Sequence, residues 1–423
     1  MTFTPTTATT PTSKPASDVV LSARNITVEY GGERPTRAVR NVSLDLRRGE
    51  VLGIAGESGC GKSTLAFALT RLLRPPATLI NGSVHFYGAD GSDPVDVIGL
   101  DPTALRHFRW DKISMVFQSA MNSLNPVTSL RRQFSDIFEA HVPEMSSDER
   151  DERSRSLLEM VGIDPHRLKG FPHELSGGMR QRVGIAMALA LNPEVVVMDE
   201  PTTALDVVVQ RDILEEINAL RQQLGFSIIF ITHDLPLLVE ISDRLIVMYA
   251  GEIVERAPSE WVGQSPAHPY TLALQESCPD LLGERRELRG IAGIPPDLRV
   301  RIEGCSFRPR CSYAFGPCST VHPELIPPLA QVVGVPQLVE RTPRDKSITQ
   351  MVDEKSSLRQ SPAEPPILGG DWRVACHLHN RELNPEGPPL ELANTPQYES
   401  NTSSSQQSAP NVGPDLELPG EVQ

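Results

Sequence analysis

The run Gly56-Glu57-Ser58-Gly59-Cys60-Gly61-Lys62-Ser63 sets glycines, a lysine and a hydroxyl at the spacing G-x-x-x-x-G-K-[ST]. Glycines there let the backbone curl so that successive N–H groups aim at one point, and a helix starting at that point adds the positive end of its dipole. The chemistry this suits is the cradling of a polyphosphate. Lys62 reaches the terminal phosphates, the Ser63 hydroxyl is a ligand for Mg2+, and Glu57, Ser58, Cys60 and Thr64 contribute from the surrounding loop and helix, Cys60 through its backbone N–H alone. A structural glycine turn is the plainer alternative. The apolar strand Val51 to Ala55 in front and the helical pattern from Lys62 onward favour the cradle.

A second carboxylate-bearing element supplies what such a cradle lacks. Val195-Val196-Val197-Met198 is an apolar strand that ends in Asp199-Glu200. By itself this is equally a solvated strand end. In the same sheet as the phosphate loop, Asp199 is placed to hold Mg2+ and Glu200 to orient or deprotonate a water at the γ-phosphate. Leu175-Ser176-Gly177-Gly178-Met179-Arg180-Gln181-Arg182 is another anion site in outline, a serine hydroxyl and two glycine amides at a helix start. One chain has no use for two γ-phosphate sites of its own.

The third constellation is sulfur. Cys305, Cys311 and Cys318 follow C-x5-C-x6-C, and Cys376 comes later in Val374-Ala375-Cys376-His377-Leu378-His379. Four thiolates can hold an iron–sulfur cluster, with Arg308 and Arg310 to offset its charge. The spacing is neither ferredoxin-like nor the tight pair typical of zinc, so a cluster, zinc and metal-free thiols all remain open. Cys278 stands outside this pattern and reads as buried packing.

These groups have to be positioned by a mixed α/β core. From about Leu21 to Glu255 short apolar runs alternate with helical stretches. Strands are predicted at Val51 to Ala55, Ile113 to Phe117, Val195 to Asp199, Ser227 to Thr232 and Arg244 to Met248, with a helical insertion over about Thr128 to Val161. Beyond Gly251 the composition shifts toward Pro and Arg. Residues 1–18 read as a disordered leader without the charged start and apolar run of a secretory signal. Residues 329–368 read as a Pro-rich flexible insertion, and 381–423, with one Arg against seven acids, as a disordered acidic tail. The chain has 423 residues, 39% hydrophobic and 22% charged, with a net charge of −14 that argues against nucleic-acid binding. No apolar run is long enough for a bilayer span, and six cysteines in this length point to a reducing compartment. No internal duplication is visible, which gives one nucleotide-binding domain per chain.

Leu175 to Arg182 resembles the signature sequence of ABC-type ATPases, and other positions match that family in order. The resemblance implies an α/β fold, the P-loop NTPase core of ABC ATPases with an antiparallel β subdomain and a helical subdomain (about 119–178) inside a domain over 19–257. Residues 258–380 would form a small irregular, Cys-rich C-terminal domain. By the same resemblance Tyr30 stacks on adenine, and Gln118 is the loop glutamine that senses Mg2+ and contacts the membrane partner. Ala204-Leu205-Asp206 is the loop that crosses the dimer interface, His233 is the switch histidine at the γ-phosphate, and Ser176, Gly177, Gly178 and Gln181 bind the nucleotide of a partner subunit. Mg2+ falls to Ser63, Gln118 and Asp199, catalysis to Glu200 and His233, and Cys305, Cys311, Cys318 and Cys376 to a [4Fe-4S] cluster that some members carry.

Within that family the dipeptide/oligopeptide importers, including nickel-transporting relatives, are the branch it is similar to. The features are Gly56-Glu57-Ser58-Gly59, the run Gln118 to Pro126, the approach Phe171 to Arg182, His268-Pro269-Tyr270-Thr271, and Gly304 to Cys311. The implied partners are a second ATPase subunit, identical or homologous, two transmembrane permease subunits and, indirectly, an extracytoplasmic binding protein. The implied location is the cytoplasmic face of the cell membrane, as a peripheral subunit. A ribosome-acting ABC factor would bring two nucleotide domains in one chain with N-terminal cluster cysteines. A DNA-repair ABC ATPase would bring coiled coils or zinc modules within the core. Neither pattern is present.

Overall fold

The computed structural model describes residues 18–118, 124–203, 205–277, 290–329, 371–389 and 392. Two long strands open it, β1 (Val19–Tyr30) and β2 (Thr36–Arg47), and β3 (Val51–Ala55) then runs into α1 (Lys62–Leu69). Next come β4 (Ala77–Phe86), β5 (Val95–Asp96), α2 (Pro102–Asp111) and β6 (Ile113–Val116). A helical stretch follows with α3 (Leu130–His141), α4 (Ser147–Met160) and α5 (Gly177–Ala188). It leads to β7 (Val195–Asp199), α6 (Val207–Leu224), β8 (Ser227–Ile231), α7 (Leu235–Ile241) and β9 (Arg244–Tyr249). The rest is β10 (Glu252–Pro258), α8 (Ser259–Gln264), α9 (Pro269–Glu276) and the short β11 (Arg373–Val374).

Two sheets result. The first is antiparallel, in the order β2-β1-β4-β5; the second runs β11-β10-β9-β3-β8-β7-β6. Strands β9, β3, β8, β7 and β6 are parallel, and β10 and β11 extend one side antiparallel. Parallel strands covered on both faces need apolar residues at every position, and Val195–Asp199 and Ser227–Ile231 are buried throughout. Alternate residues feed two cores. Leu52, Ile54, Val195, Val197, Ile229 and Ile231 pack with the antiparallel sheet and α1. Val196, Met198, Ile228, Phe230, Leu245 and Val247 pack with the helices and the C-terminal segment.

The helices of the insertion are capped as their sequences dictate. Ser129 accepts from Arg132 N–H, and Ser146 forms a reciprocal capping box with Glu149. No helix among the described residues is long and apolar enough to cross a membrane.

After the region at 330–370 the chain returns to the core. Val374 and Arg373 of β11 pair with Glu255 and Arg256 of β10. Trp372 is fully buried, packs edge-on against Trp261 at 5.1 Å, and donates its indole N–H to Glu255 at 3.0 Å. The acidic tail departs from the sequence expectation at its start. Asn384 donates to Leu378 and Gly387 carbonyls, and Leu392 is fully buried, because the side-chain amide turns the backbone and an apolar residue follows within reach of the core. Cys278, Ala204, most of the leader and most of the insertion lie outside the described residues.

Candidate nucleotide-binding site

The carboxyl ends of β3, β7 and β8 deliver the predicted residues to one rim of the parallel sheet, where open α/β sheets place their ligands. Two glycines make the loop after β3 possible. Gly56 has φ 148°, and a Cβ there would lie 2.3 Å from the Met248 carbonyl oxygen; Gly61 has φ 106° and would meet the Ala38 carbonyl at 2.2 Å. Only glycine fits either place.

Lys62 is 5% exposed and folds back on the loop, its Nζ donating to the carbonyls of Gly56 (2.7 Å) and Glu57 (3.0 Å). Its neighbour Ser63 donates from Oγ to Asp199 Oδ1 at 3.0 Å. Asp199 is 1% exposed. Burial pushes its carboxyl above the usual range, and repulsion from Glu200 adds to this against the Ser63 hydrogen bond. A buried acid whose charge is under-compensated, together with the hydroxyl bonded to it, is a donor set that suits a hard divalent cation.

Glu200 sits at φ 46°, a left-handed conformation that costs a non-glycine residue of order 1–3 kcal/mol and clusters at functional positions. Its N–H donates to the Ile231 carbonyl at 2.8 Å, which holds the turn. The carboxylate gathers three side chains: Gln118 Nε2 at 2.9 Å, Thr203 Oγ1 at 3.0 Å and His233 Nδ1 at 3.3 Å. Gln118, Glu200 and His233 therefore meet, while His233 itself stays more than half exposed. Tyr30, at the end of β1, shares a 3.1 Å hydrogen bond between its hydroxyl and Thr64 Oγ1, so its ring lies beside the first turn of α1.

The signature segment stands apart. Ser176 caps α5, its Oγ accepting from Met179 N–H at 3.2 Å, and Gly177 and Gly178 open the helix. Gln181 is buried, with its amide nitrogen unpartnered among the described residues. Asp206 caps α6 by accepting from Val209 N–H at 3.0 Å. Among the described residues no hydrogen bond joins Ser176, Gly177 or Gly178 to the phosphate loop.

The four cysteines converge in space. Cys305 N–H donates to the Cys318 carbonyl at 2.9 Å, and Cys376 follows directly on β11. Burial raises the thiols of Cys305, Cys311 and Cys376. Mutual repulsion among the sulfurs raises them further, Cys311 to about 11. Even so, among the described residues no group of three or more His, Cys, Asp or Glu is drawn close enough to hold a single metal ion. Neither zinc nor the expected iron–sulfur cluster thus finds a ready set of ligands among the described residues.

Three residues with direct contact to the site were not singled out for it from sequence. Thr203 bonds Glu200, Tyr270 Oη accepts from Glu57 N–H at 2.8 Å, and Arg310 binds the Glu57 carboxylate. Arg310 was expected to offset thiolate charge. Instead its guanidinium is committed to the phosphate loop. The one clue in the sequence is an acid at position 57 of an anion-binding loop, which demands a cation from elsewhere.

Comparison with known proteins agrees with this architecture. Residues 39–203 match the ABC transporter family, and residues 254–318 match the oligopeptide/dipeptide transporter C-terminal region. A probable peptide ABC transporter ATP-binding protein of Sinorhizobium fredii, y4tR, is 43% identical over 318 residues, covering 74% of this chain and 93% of the relative. The oligopeptide transport ATP-binding protein OppD of Escherichia coli is 40% identical over 320 residues, covering 75% and 93%. Among solved structures, the dimeric post-hydrolysis state of the ATP-binding cassette MJ0796 bound to ADP and Pi matches at 30% identity with a TM-score of 0.50, covering 57% of this chain and 99% of that one. With the phosphate loop, the acid pair and the signature segment in place on this fold, the chain belongs to the ATP-binding proteins of ABC transporters, in the group that carries the oligopeptide/dipeptide transporter C-terminal region.

Proposed function

We infer that this chain is the ATP-binding and ATP-hydrolysing subunit that energises a membrane importer of dipeptides or oligopeptides. The observation that carries the reading is the meeting of Lys62, Ser63, Asp199, Glu200, Gln118 and His233 at one sheet rim, in a chain whose C-terminal region matches the peptide-transporter type.

ATP is the substrate. Tyr30 offers its ring to the base, and the amides from Gly59 to Thr64 offer hydrogen bonds to phosphate. Lys62 exchanges the Gly56 and Glu57 carbonyls for phosphate oxygens. Mg2+ fits Ser63, Asp199 and Gln118, and when bound it neutralises developing phosphate charge. Glu200 takes the proton of the attacking water, with His233 and Gln118 orienting its carboxylate. Ser176, Gly177, Gly178 and Gln181 face the nucleotide of a second ATPase subunit, and Asp206 lies on the loop between the two. This accounts for an anion-binding helix start that makes no bond to its own phosphate loop.

The same reading divides the chain into a nucleotide-binding domain over 19–257, with helices from about 119 to 178, and a C-terminal extension over 258–380. It places the protein at the cytoplasmic face of the membrane against two permease subunits fed by an extracytoplasmic binding protein. Cys305, Cys311, Cys318 and Cys376, whose sulfurs are near enough to raise one another's thiols, are the residues that would hold a [4Fe-4S] cluster, and it would act as a structural clasp.

The test is purification with the permease subunits, followed by ATP hydrolysis and peptide uptake in proteoliposomes. The expected result is hydrolysis that needs Mg2+, is lost in Lys62→Ala and drives peptide accumulation. A complex that neither retains nor splits MgATP sinks the reading. Uptake of another solute keeps the ATPase and replaces the cargo. A broad visible absorbance in anaerobically purified protein, lost in Cys311→Ser, supports the cluster; a colourless protein without iron removes it.

A further inference from the structure

Glu57 is the second residue of the phosphate loop, and besides the Cys60 N–H, which donates to its carbonyl at 3.3 Å, three side chains hold it. Its carbonyl accepts from Lys62 Nζ at 3.0 Å. Its N–H donates to Tyr270 Oη at 2.8 Å. Its carboxylate receives both arms of the Arg310 guanidinium, at 2.7 and 3.0 Å. Of these three side chains, Lys62 alone comes from the phosphate-loop segment. Tyr270 belongs to α9, and Arg310 lies 253 residues away in the cysteine-bearing segment.

The holders are themselves rigid. The Arg310 side chain is 2% exposed. Its remaining donors go to the Ala292 carbonyl (2.9 Å), the Ile291 carbonyl (3.3 Å) and the Tyr249 hydroxyl (3.3 Å). Tyr249, Tyr270 and Phe307 pack ring to ring at centroid distances of 4.6 to 5.3 Å, and the guanidinium lies 5.8 Å from the Tyr249 ring centre. A planar fork held by these hydrogen bonds and ring contacts sets the position of the carboxylate it grips, which a lysine would not do.

We propose that Arg310 is a positioning residue for ATP binding: by pairing with Glu57, and with Tyr270 holding the same residue's N–H, it fixes the phosphate loop from the C-terminal region. The proposal rests on the ATPase reading and deepens it. Two physical effects follow from the pairing. A carboxylate in a loop built for a polyanion repels that anion unless a cation offsets it, and Arg310 is the cation in contact. When Lys62 leaves the Glu57 carbonyl for a phosphate, Tyr270 and Arg310 remain to keep the loop in shape. The C-terminal region thus completes the nucleotide site of the chain that carries it.

The experiment measures MgATP affinity of the full chain with a fluorescent ATP analogue, and KM and kcat in the complex with its permeases. Variants are Arg310→Met, Arg310→Lys, Glu57→Gln and the double Glu57→Gln/Arg310→Met. Arg310→Met should weaken binding roughly 10–100-fold, the range for stranding a partly buried charge. Arg310→Lys should fall between it and the native chain. Glu57→Gln should weaken binding by about threefold to tenfold, because the amide keeps one arm of the fork and loses the ion pair, and the double variant should bind better than the product of the two single effects, because no charge is then stranded. The effect should lie in KM, with kcat changed less than about twofold.

Native affinity in Arg310→Met, or single effects that simply multiply in the double variant, overturns the proposal. If Arg310→Met does not fold but the double variant does, the pairing is supported. If neither folds, Arg310→Lys decides, and native affinity there overturns it. Failure of the native chain to bind MgATP better than Lys62→Ala removes the ATPase reading as well, which separates the two failures.

Discussion

Gln118 donates its side-chain amide to Glu200 across 2.9 Å, and Thr203 and His233 bond the same carboxylate. Three protein side chains thus satisfy Glu200 at a strained backbone position, and under the proposed function it is the base for the attacking water. Glutamine in its place keeps the shape and most of the hydrogen bonds but cannot take a proton. Glu200→Gln should bind MgATP as the native chain does, accumulate as an ATP-bound dimer in size-exclusion chromatography, and lose hydrolysis by about 100-fold or more. Native turnover in this variant would refute the role.

Asp199 predicts a conflict between stability and function. Its carboxyl is held above the usual range by burial, so the folded chain binds that proton more tightly than the unfolded chain. The stabilising contribution is therefore full below the unfolded pKa of 3.8 and is lost as pH rises through the raised folded value. At neutral pH the ionised acid is destabilising unless a cation joins it, as the proposed function has Mg2+ do. Asp199→Asn should raise the thermal stability of the nucleotide-free chain by roughly 0.5–2 kcal/mol and abolish the gain in stability that Mg2+ brings with ATP. Calorimetry with and without MgATP checks both signs.

The cysteine site should titrate as protonated thiols when it carries no metal. Burial and repulsion from Cys305 and Cys318 push Cys311 up to about 11. Alkylation of Cys311 by iodoacetamide in metal-free protein should be slow at pH 7.5 and accelerate until about pH 11, as read by peptide mass spectrometry. Fast labelling at neutral pH would show a thiolate and contradict the burial argument.

Acid should weaken the C-terminal extension before the core. His268 and His379 are buried and neutral, pushed down to about 3 and about 4, because burial disfavours their charged forms. His268 Nδ1 accepts from Tyr270 N–H at 3.0 Å, and His379 bonds Leu329 N–H and the Ala267 carbonyl. An unfolded histidine takes up its proton near 6.5, so stability is full above that pH and falls as pH drops from 6.5 toward 4. The slope approaches about 1.4 kcal/mol per pH unit for each histidine. Hydrogen exchange at Tyr270 to Leu274 should speed up across this window while that of Val195 to Met198 lags.

Much of the parallel sheet was legible because each strand is a continuous apolar run, and a run buried on both faces needs no alternation to be seen. The antiparallel sheet was less so. Its first strand carries register shifts at Ala23 to Ile26 and Val28 to Glu29, and these break the period of two. Lys62, Ser63 and Asp199 could be placed because local spacing on a strand and a helix fixes their direction. The grip of Arg310 on Glu57 spans 253 residues and depends on how the C-terminal segment folds back, which no local pattern encodes. Cys376 joins the other thiols for a similar reason, through pairing of β11 with β10.

That short pairing has a further consequence. An outermost strand with open amides and carbonyls is an adhesive seam, and β11 seals part of the one that β10 would otherwise present. It also brings the indole that joins the Ala267 and His268 N–H groups in bonding Glu255, a side chain with no exposure to water at all. A polypeptide clipped ahead of Trp372 would lose seal and indole together. It would keep every residue gathered at the sheet rim and still be prone to stick to its neighbours.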